Sequence, residues 1–318
     1  MKHDIICIGT ALVDSIIRGF DPTPVSATGF TAESASLNVG GEAVNVGMAA
    51  AKLGLRTGIL CFLGTDSAGD LILQTLMDSG VDTAAIVRTP EHPTPVTTMF
   101  VNGDGTRKSI TNGSHRYNFH PEEHIGAFTD AKALVLGSLF RAPFDDPGII
   151  HAVLAAAADA GQTVFADTKL PNFKVLGLAD IRDSLPLIDY ITPNEDEAKY
   201  LTGKDDPGEM AGVFLDMGVK NVLIKLGARG CFFKNAHESI RLPAFEIEAV
   251  DATGAGDNML AGMAGELLRG AGTLEALRFG NACGAICTTA VGAGTALKSR
   301  NQVLSFIRNK KGIDNQKQ

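Results

Sequence analysis

The chain is 318 residues long, 45% hydrophobic and 20% charged, with a formal net charge of −8. That composition suits a globular protein with a well-buried core and excludes a disordered one. The acidic balance, with no Lys/Arg-rich run, leaves nucleic-acid binding without electrostatic support, so an anionic ligand needs local donors.

In chain order, Ile5 to Gly9 reads as a buried strand ending in a turn. The apolar stretch from Ile5 to Ile17 is broken by Asp14, lacks the basic flank of a signal peptide and is too short to span a bilayer. Gly41 to Leu53 is an Ala-rich helix closed by Gly54. Thr57 to Leu63 is a second strand, and Asp70 to Ser79 a helix closed by Gly80. Ala133 to Gly137 is a strand, Gly148 to Ala160 a helix, and Thr163 to Ala166 a strand. Tyr190 to Thr192 is a strand that leads through a proline to a helix from Glu195 to Leu201. Asn221 to Lys225 is a strand. Helices follow over Gly256 to Arg269, Leu274 to Ala290 and Asn301 to Asn309.

Strands alternating with helices predict an α/β layer fold with a mostly parallel, buried sheet. Two polar stretches break the rhythm: Asp21 to Val39 and Thr94 to Phe119, the second with a hairpin turn at Asn102-Gly-Asp-Gly105. Structureless loops this long are uncommon in a compact domain, so the two are expected to pair as a small β-rich lid. The cysteines are Cys7, Cys61, Cys231, Cys283 and Cys287, with no Cys-x-x-Cys. They read as packed thiols in a reducing compartment, which places the protein in the cytoplasm.

In open α/β sheets the loops after strands carry the chemistry. Gly254-Ala255-Gly256-Asp257 opens a helix. The glycines let backbone approach a ligand closely, and the helix start offers free N–H groups to a phosphate. A carboxylate beside an anion site is repelled unless it has a task, such as taking the proton of an attacking hydroxyl. Taken alone, a glycine turn with Asp257 as a helix cap explains the segment equally well. Asn194 and Glu197 have capping-box spacing; they also suit water-mediated contact with a Mg²⁺ on nucleotide phosphates. Lys225-Leu-Gly227-Ala-Arg-Gly230 is a tight turn against which a nucleotide can lie, or simply a hairpin turn. Gly40-Gly41 enters a helix carrying Asn45, a poor helix former, which points to polyol hydroxyls or to a bond with a neighbouring loop. Asp14 is a second candidate for hydroxyl contacts, with a solvated loop carboxylate as the plainer reading.

Four motifs thus stand in one order: Gly40-Gly41-x-x-x-Asn45, Asn194-x-x-Glu197, Lys225-x-Gly-x-x-Gly230 and Asp251-x-Thr-Gly-Ala-Gly-Asp257. The pattern resembles the ribokinase-like (PfkB) family of carbohydrate and nucleoside kinases over nearly the whole chain. The resemblance implies a three-layer α/β/α sandwich with a mostly parallel central sheet. It implies one kinase domain over about residues 1–310, a lid inserted from about 12–39 and 94–119, and a tail at 311–318. It implies ATP and Mg²⁺, with Asp257 as catalytic base and the backbone of Gly254, Ala255 and Gly256 as anion hole. Asp14, Gly40, Gly41 and Asn45 then contact the substrate. Asn194, Lys225, Gly227, Gly230 and Asn281 contact the nucleotide, and Asn194 with Glu197 faces the Mg²⁺. Asp251, Thr253, Ala290 and Gly292 match the positions of a K⁺ ion.

Some positions depart from the family. Ala296 falls where a hydroxyl is common, and Asn258-Met259 where a small residue and Phe are usual. The strand from Leu134 to Ser138 runs into Leu139-Phe140, without the Glu that ribokinases place there for the sugar. Asp167-Thr-Lys169 resembles the Asp-x-Lys of heptose-phosphate kinases: Lys169 either reaches a phosphate or is a strand-end surface lysine. The expected reaction is phosphorylation of a sugar or sugar derivative. A nucleoside kinase, with Phe100, Tyr117 or Phe119 walling a base, is the alternative, and a binding sensor without turnover a third reading. No Gly-x-Gly-x-x-Gly follows the first strand and no P-loop occurs, which disfavours dehydrogenases and P-loop kinases. A homodimer through the lid edge is expected, since exposed strands tend to be covered.

Overall fold

The computed structural model describes residues 1–19, 31–101, 107–112 and 119–314. The first half runs β1 (His3–Ile8), β2 (Leu12–Arg18), β3 (Ser34–Gly40), α1 (Glu42–Lys52), β4 (Thr57–Leu60), β5 (Phe62–Gly64) and α2 (Ser67–Asp78). There follow β6 (Val87–Thr89), β7 (Val96–Val101), β8 (Arg107–Thr111), α3 (Ile125–Phe128), β9 (Ala131–Leu139), α4 (Pro147–Asp159) and β10 (Thr163–Thr168). The second half is β11 (Tyr190–Ile191), α5 (Glu195–Thr202), α6 (Pro207–Asp216), β12 (Asn221–Lys225), β13 (Cys231–Asn235) and β14 (Ser239–Leu242). It closes with α7 (Ala255–Leu268), α8 (Thr273–Cys287) and α9 (Arg300–Asp314).

Eight strands form one sheet in the order β14-β13-β12-β11-β10-β9-β1-β4, parallel from β12 to β4 and antiparallel at the β13–β14 end. Side chains alternate across a strand, so in β1 Ile5 and Cys7 face one layer and Ile6 and Ile8 the other. Ile5 and Cys7 join a core built with α1, α7 and α8, through residues such as Val46, Leu260 and Leu277. Ile6 and Ile8 join a second core with α4 and α6, through Leu154 and Phe214. Both faces are covered, which is the predicted α/β/α sandwich, and it explains why the strands read as unbroken apolar runs. Parallel crossovers gather the strand ends, Thr168 of β10 and Lys225 of β12 among them, along one edge.

The two polar stretches enter one small sheet but do not pair with each other: β2, which lies outside both, stands between them. β2 runs antiparallel to β3 and parallel to β7, and β7 pairs with β8, giving a four-stranded sheet in the order β3-β2-β7-β8. The hairpin turn expected at 102–105 and Tyr117 lie outside the described residues.

Local differences have physical causes. The strand expected over Thr57 to Leu63 divides at Cys61. The Leu60 carbonyl accepts from Gly9 N at 3.4 Å, while that of Cys61 accepts from Val87 N at 2.9 Å, so the chain leaves the large sheet to pair β5 with β6. Helix α6, not foreseen, starts at Pro207 behind the Asp206 cap, whose carboxylate accepts from Gly208 N at 2.8 Å. The five cysteines are buried and free. No described helix is long and apolar enough to cross a membrane.

Phe165 lies fully buried in the middle of the large sheet, its ring stacked on Tyr190 with centroids 4.7 Å apart. Phe165→Ala should lower unfolding free energy by about 3–5 kcal/mol, the usual cost of such a cavity, in urea titrations with an unchanged m-value.

Candidate active site

Helix α7 begins where Gly254 adopts φ 76°. A side chain there would be strained, and its Cβ would lie 2.2 Å from that of Ala293. Gly254 and Gly256 flank Ala255, so the first turn of α7 presents backbone with little side chain over it, at the positive end of the helix. Asp257 follows in the same turn and is only 8% exposed. Its Oδ2 accepts a hydrogen bond of 2.7 Å from Asn45 Nδ2 on α1. Burial, together with the negative charges of Glu42 and Asp167, pushes its carboxyl up to about 7; Lys169 and the Asn45 bond pull the other way. Asn45 Oδ1 is buried with no partner in the protein. The position that looked costly inside a helix therefore orients Asp257 and keeps one acceptor open.

The neighbouring strand ends form a buried polar network. Asp167, at the end of β10, receives Lys225 Nζ on both oxygens at 2.7 and 3.0 Å, and Thr192 Oγ1 at 3.0 Å. The Lys225 side chain crosses Gly256: a Cβ there would be 3.0 Å from Lys225 Nζ. Asn194 and Glu197 form the capping box read from their spacing, each accepting from the other's backbone N–H at 2.9 Å. Glu197 is 4% exposed and also accepts from Thr168 Oγ1 at 2.9 Å. Burial and the Asp167 charge raise its carboxyl above the usual range. Two carboxylates thus meet one lysine here, a surplus of negative charge that suits a cation on nucleotide phosphates.

Asp14 lies beside Gly40, where a Cβ would come within 2.6 Å of Asp14 Oδ2. Gly41, at φ 104°, turns the chain into α1 with no room for a side chain against the Thr10 carbonyl. Gly227 and Gly230 bound a tight turn, and Arg229 in it pairs with Glu195 on α5. Phe119 is buried in the core formed with β9 and α4.

Other candidates are engaged within the fold. Asn281 Nδ2 donates to the Pro243 carbonyl at 2.7 Å, tying α8 to the chain after β14. The Asp251 carboxylate accepts from Thr253 N, Thr253 Oγ1 and Gly292 N at 3.0, 2.7 and 3.0 Å. The Thr253 carbonyl accepts from the Cys287 thiol, and Asn258 Nδ2 bridges the carbonyls of Gly254 and Ala293 at 2.8 and 2.9 Å. The residues matched to K⁺ positions thus lie in two segments, before α7 and after α8, that are cross-linked by protein donors. Asn258, noted in the sequence only as a departure, supplies one cross-link.

Two site residues escaped the sequence. Glu42 occupies a free position of the Gly-Gly-x-x-x-Asn motif, and Asp167 stood out only beside Lys169. Lys169 proves to be neither a free surface lysine nor an unmatched cation: its Nζ pairs with Glu42 Oε1 at 2.6 Å.

A glycine-led helix start facing the strand ends of a three-layer α/β/α sandwich defines the ribokinase-like class of small-molecule kinases. The structure matches that of Arabidopsis thaliana ribokinase complexed with ribose and ATP at a TM-score of 0.84, with 25% identity, covering 96% of this chain and 98% of that one. The family profile described as pfkB family carbohydrate kinase matches residues 2–300, and the chain belongs to that family. It is 28% identical over 315 residues to a ribokinase of Staphylococcus aureus (strain COL), covering 95% of this chain and 99% of the relative. It is 30% identical over 288 residues to the aminoimidazole riboside kinase of Salmonella typhimurium (strain LT2), covering 84% and 87%. The protein is accordingly a phosphotransferase acting on an alcohol group.

Because the Asp257 carboxyl is held near 7 in the fold and near 3.9 in the unfolded chain, ionising it costs stability above pH 7. Asp257→Asn should therefore raise stability at pH 8, by up to roughly 4 kcal/mol. The gain should fade as the pH drops from 7 towards 4, in denaturant titrations across that range.

Proposed function

We propose that the protein transfers the γ-phosphoryl group of ATP to a hydroxyl of a small sugar or sugar derivative, with Asp257 as the general base. The observation that carries this reading is a buried carboxyl poised near neutrality at the positive end of α7, fixed by Asn45. The acceptor oxygen attacks the γ-phosphorus, the bond to the β–γ bridging oxygen breaks, and the acceptor proton passes to Asp257. The N–H groups of Gly254, Ala255 and Gly256 receive the charge that grows on the phosphoryl oxygens. The complex of the Arabidopsis ribokinase with ribose and ATP supports ATP as donor. Asp14, Gly40, Gly41 and Asn45 hold the acceptor, and the open Asn45 Oδ1 suits a hydroxyl donor. Lys225, Gly227, Gly230 and Asn194 line the nucleotide side; Asn281 braces it through Pro243. Glu197 and Asn194 would hold Mg²⁺, which would supply positive charge to the nucleotide phosphates.

A nucleoside-type acceptor is the second reading, favoured by the 30% identity to the aminoimidazole riboside kinase. Of the aromatic residues offered as a base wall, Phe119 lies in the core, which weakens it. For K⁺, the cross-linked loop around Asp251 and Gly292 favours activity that is unchanged when Na⁺ replaces K⁺. The free, buried cysteines suit a reducing cytoplasm. Edge strands β3 and β8 expose Leu37 and Ile110, 65% and 71% accessible, and we place a homodimer contact there. Light scattering at micromolar concentration should give twice the chain mass; a monomer removes the dimer.

Asp257→Asn should lower kcat by roughly 10²–10⁴-fold while ATP binding is kept, the usual loss for a general base. A near-wild-type rate with any phosphorylated acceptor would sink the assignment. The wild-type kcat/KM should fall as the pH drops through about 7, where Asp257 gains its proton.

A further inference from the structure

On the acceptor side of Asp257 stands an ion pair that neither the motifs nor the proposed roles use. Glu42, the first residue of α1 after Gly40-Gly41, accepts Lys169 Nζ on Oε1 at 2.6 Å, while its Oε2 accepts from the Ser138 hydroxyl. The Glu42 side chain is 17% exposed and that of Lys169 40%, so the pair is partly open to solvent. Glu42 and Lys169 are also two of the charges that act on Asp257.

The backbone supporting this pair is held in a strained form. Ser138 and Phe140 adopt φ of 69° and 75°, left-handed values that non-glycine residues take at a cost and that cluster at binding sites. That turn supplies both fastenings: the Ser138 hydroxyl holds Glu42, and the Leu139 carbonyl accepts from Lys169 N at 2.9 Å. Lys169 and Ser138 outweigh the effect of burial and hold the Glu42 carboxyl down at about 2, so the pair stays charged in the working range.

We propose that Glu42 and Lys169, fixed by Ser138, are the acceptor-recognition pair, and that they select a neutral polyol with adjacent hydroxyls over a sugar acid or sugar phosphate. This rests on the kinase reading above. A carboxylate has more acceptor sites, and an ammonium more donors, than these contacts use. Neighbouring hydroxyls of a sugar complement both: one donates to Glu42 and the next accepts from Lys169. An anionic acceptor is favoured by a cation with unmatched charge. Lys169 is matched by Glu42, Lys225 by Asp167, and ionised Asp257 repels an anion.

The test is ADP release over a panel of neutral sugars, sugar acids and sugar phosphates, with wild type, Glu42→Gln, Lys169→Met and Ser138→Ala. Wild type should favour its best neutral sugar over its best anionic compound by roughly tenfold or more in kcat/KM. Glu42→Gln should raise the KM for that sugar by about 10–100-fold, leave the KM for ATP unchanged, and shift the kcat/KM ratio towards anions by freeing the Lys169 charge. Lys169→Met should raise the acceptor KM without that shift. Ser138→Ala, which keeps both charges, should move the acceptor KM in the same direction by less, and guards against a Glu42 variant that fails to fold. A wild type that prefers anionic acceptors, or a folded Glu42→Gln with unchanged acceptor KM and ratio, overturns the proposal. Full activity of Asp257→Asn on the same sugars would remove the base and leave the pair standing. No turnover of any panel member would remove the reaction and the pair together.

Discussion

The hydrogen bond from Asn45 to Asp257 joins residues 212 positions apart and fixes the beginnings of α1 and α7 against each other. Each helix start carries a glycine turn, Gly40-Gly41 on one and Gly254 to Gly256 on the other. In the proposed reaction, their mutual position sets where an acceptor hydroxyl meets a phosphoryl group. Orientation of this kind is the larger part of what a phosphoryl-transfer enzyme supplies, because the reacting groups need little covalent help. The sandwich serves that one contact: α1 and α7 share a core on one face of the sheet, and the strand ends bring Asp167, Lys225 and Glu197 to its side.

Charge is arranged around the same contact in a consistent way. Asp257 is left without a lysine of its own, and burial and its acidic neighbours hold its proton affinity near neutrality. The two lysines nearby are each given to another carboxylate, Lys169 to Glu42 and Lys225 to Asp167. A base paired directly with either lysine would be a weaker base, since a close cation favours the ionised form. Assigning the cations elsewhere leaves the Asp257 carboxyl without a close counter-charge to draw it towards its ionised form.

The sequence disclosed what depends on local backbone and hid what depends on tertiary contact. Gly254, Gly256, Gly41 and the Asn194/Glu197 box are legible because tight turns and helix caps restrict residue type over a few positions. The α/β alternation and the β character of the two polar stretches are legible for a similar reason, since period and length suffice, whereas β2 as the strand that joins them is not. Asn45 could be seen as misplaced in a helix, but not that Asp257 was its partner. Helix α6 depends on the Asp206 cap, whose carboxylate meets the helix start only once the chain is folded. The division of β4 from β5 was lost because an apolar run does not record which strand accepts its hydrogen bonds. Glu42 was invisible for the opposite reason to the glycines: the motif leaves its position free, so only the fold reveals what it touches.

That free position is where this chain departs most from the pattern it shares with its family. Ribokinases place a sugar-contacting Glu after the strand that is β9 here, and this chain has Leu139-Phe140 instead. A carboxylate nevertheless reaches the end of β9, from Glu42 at the start of α1, and Ser138 holds it. The compensation carries its own constraint. A Glu entering from α1 lies beside Asp257 and raises its proton affinity, so it requires a counter-charge, and Lys169 provides it. Substitution at 42, 138 or 169 therefore cannot be neutral for the other two. On the proposed role of this pair, a change in acceptor specificity must move the three residues together.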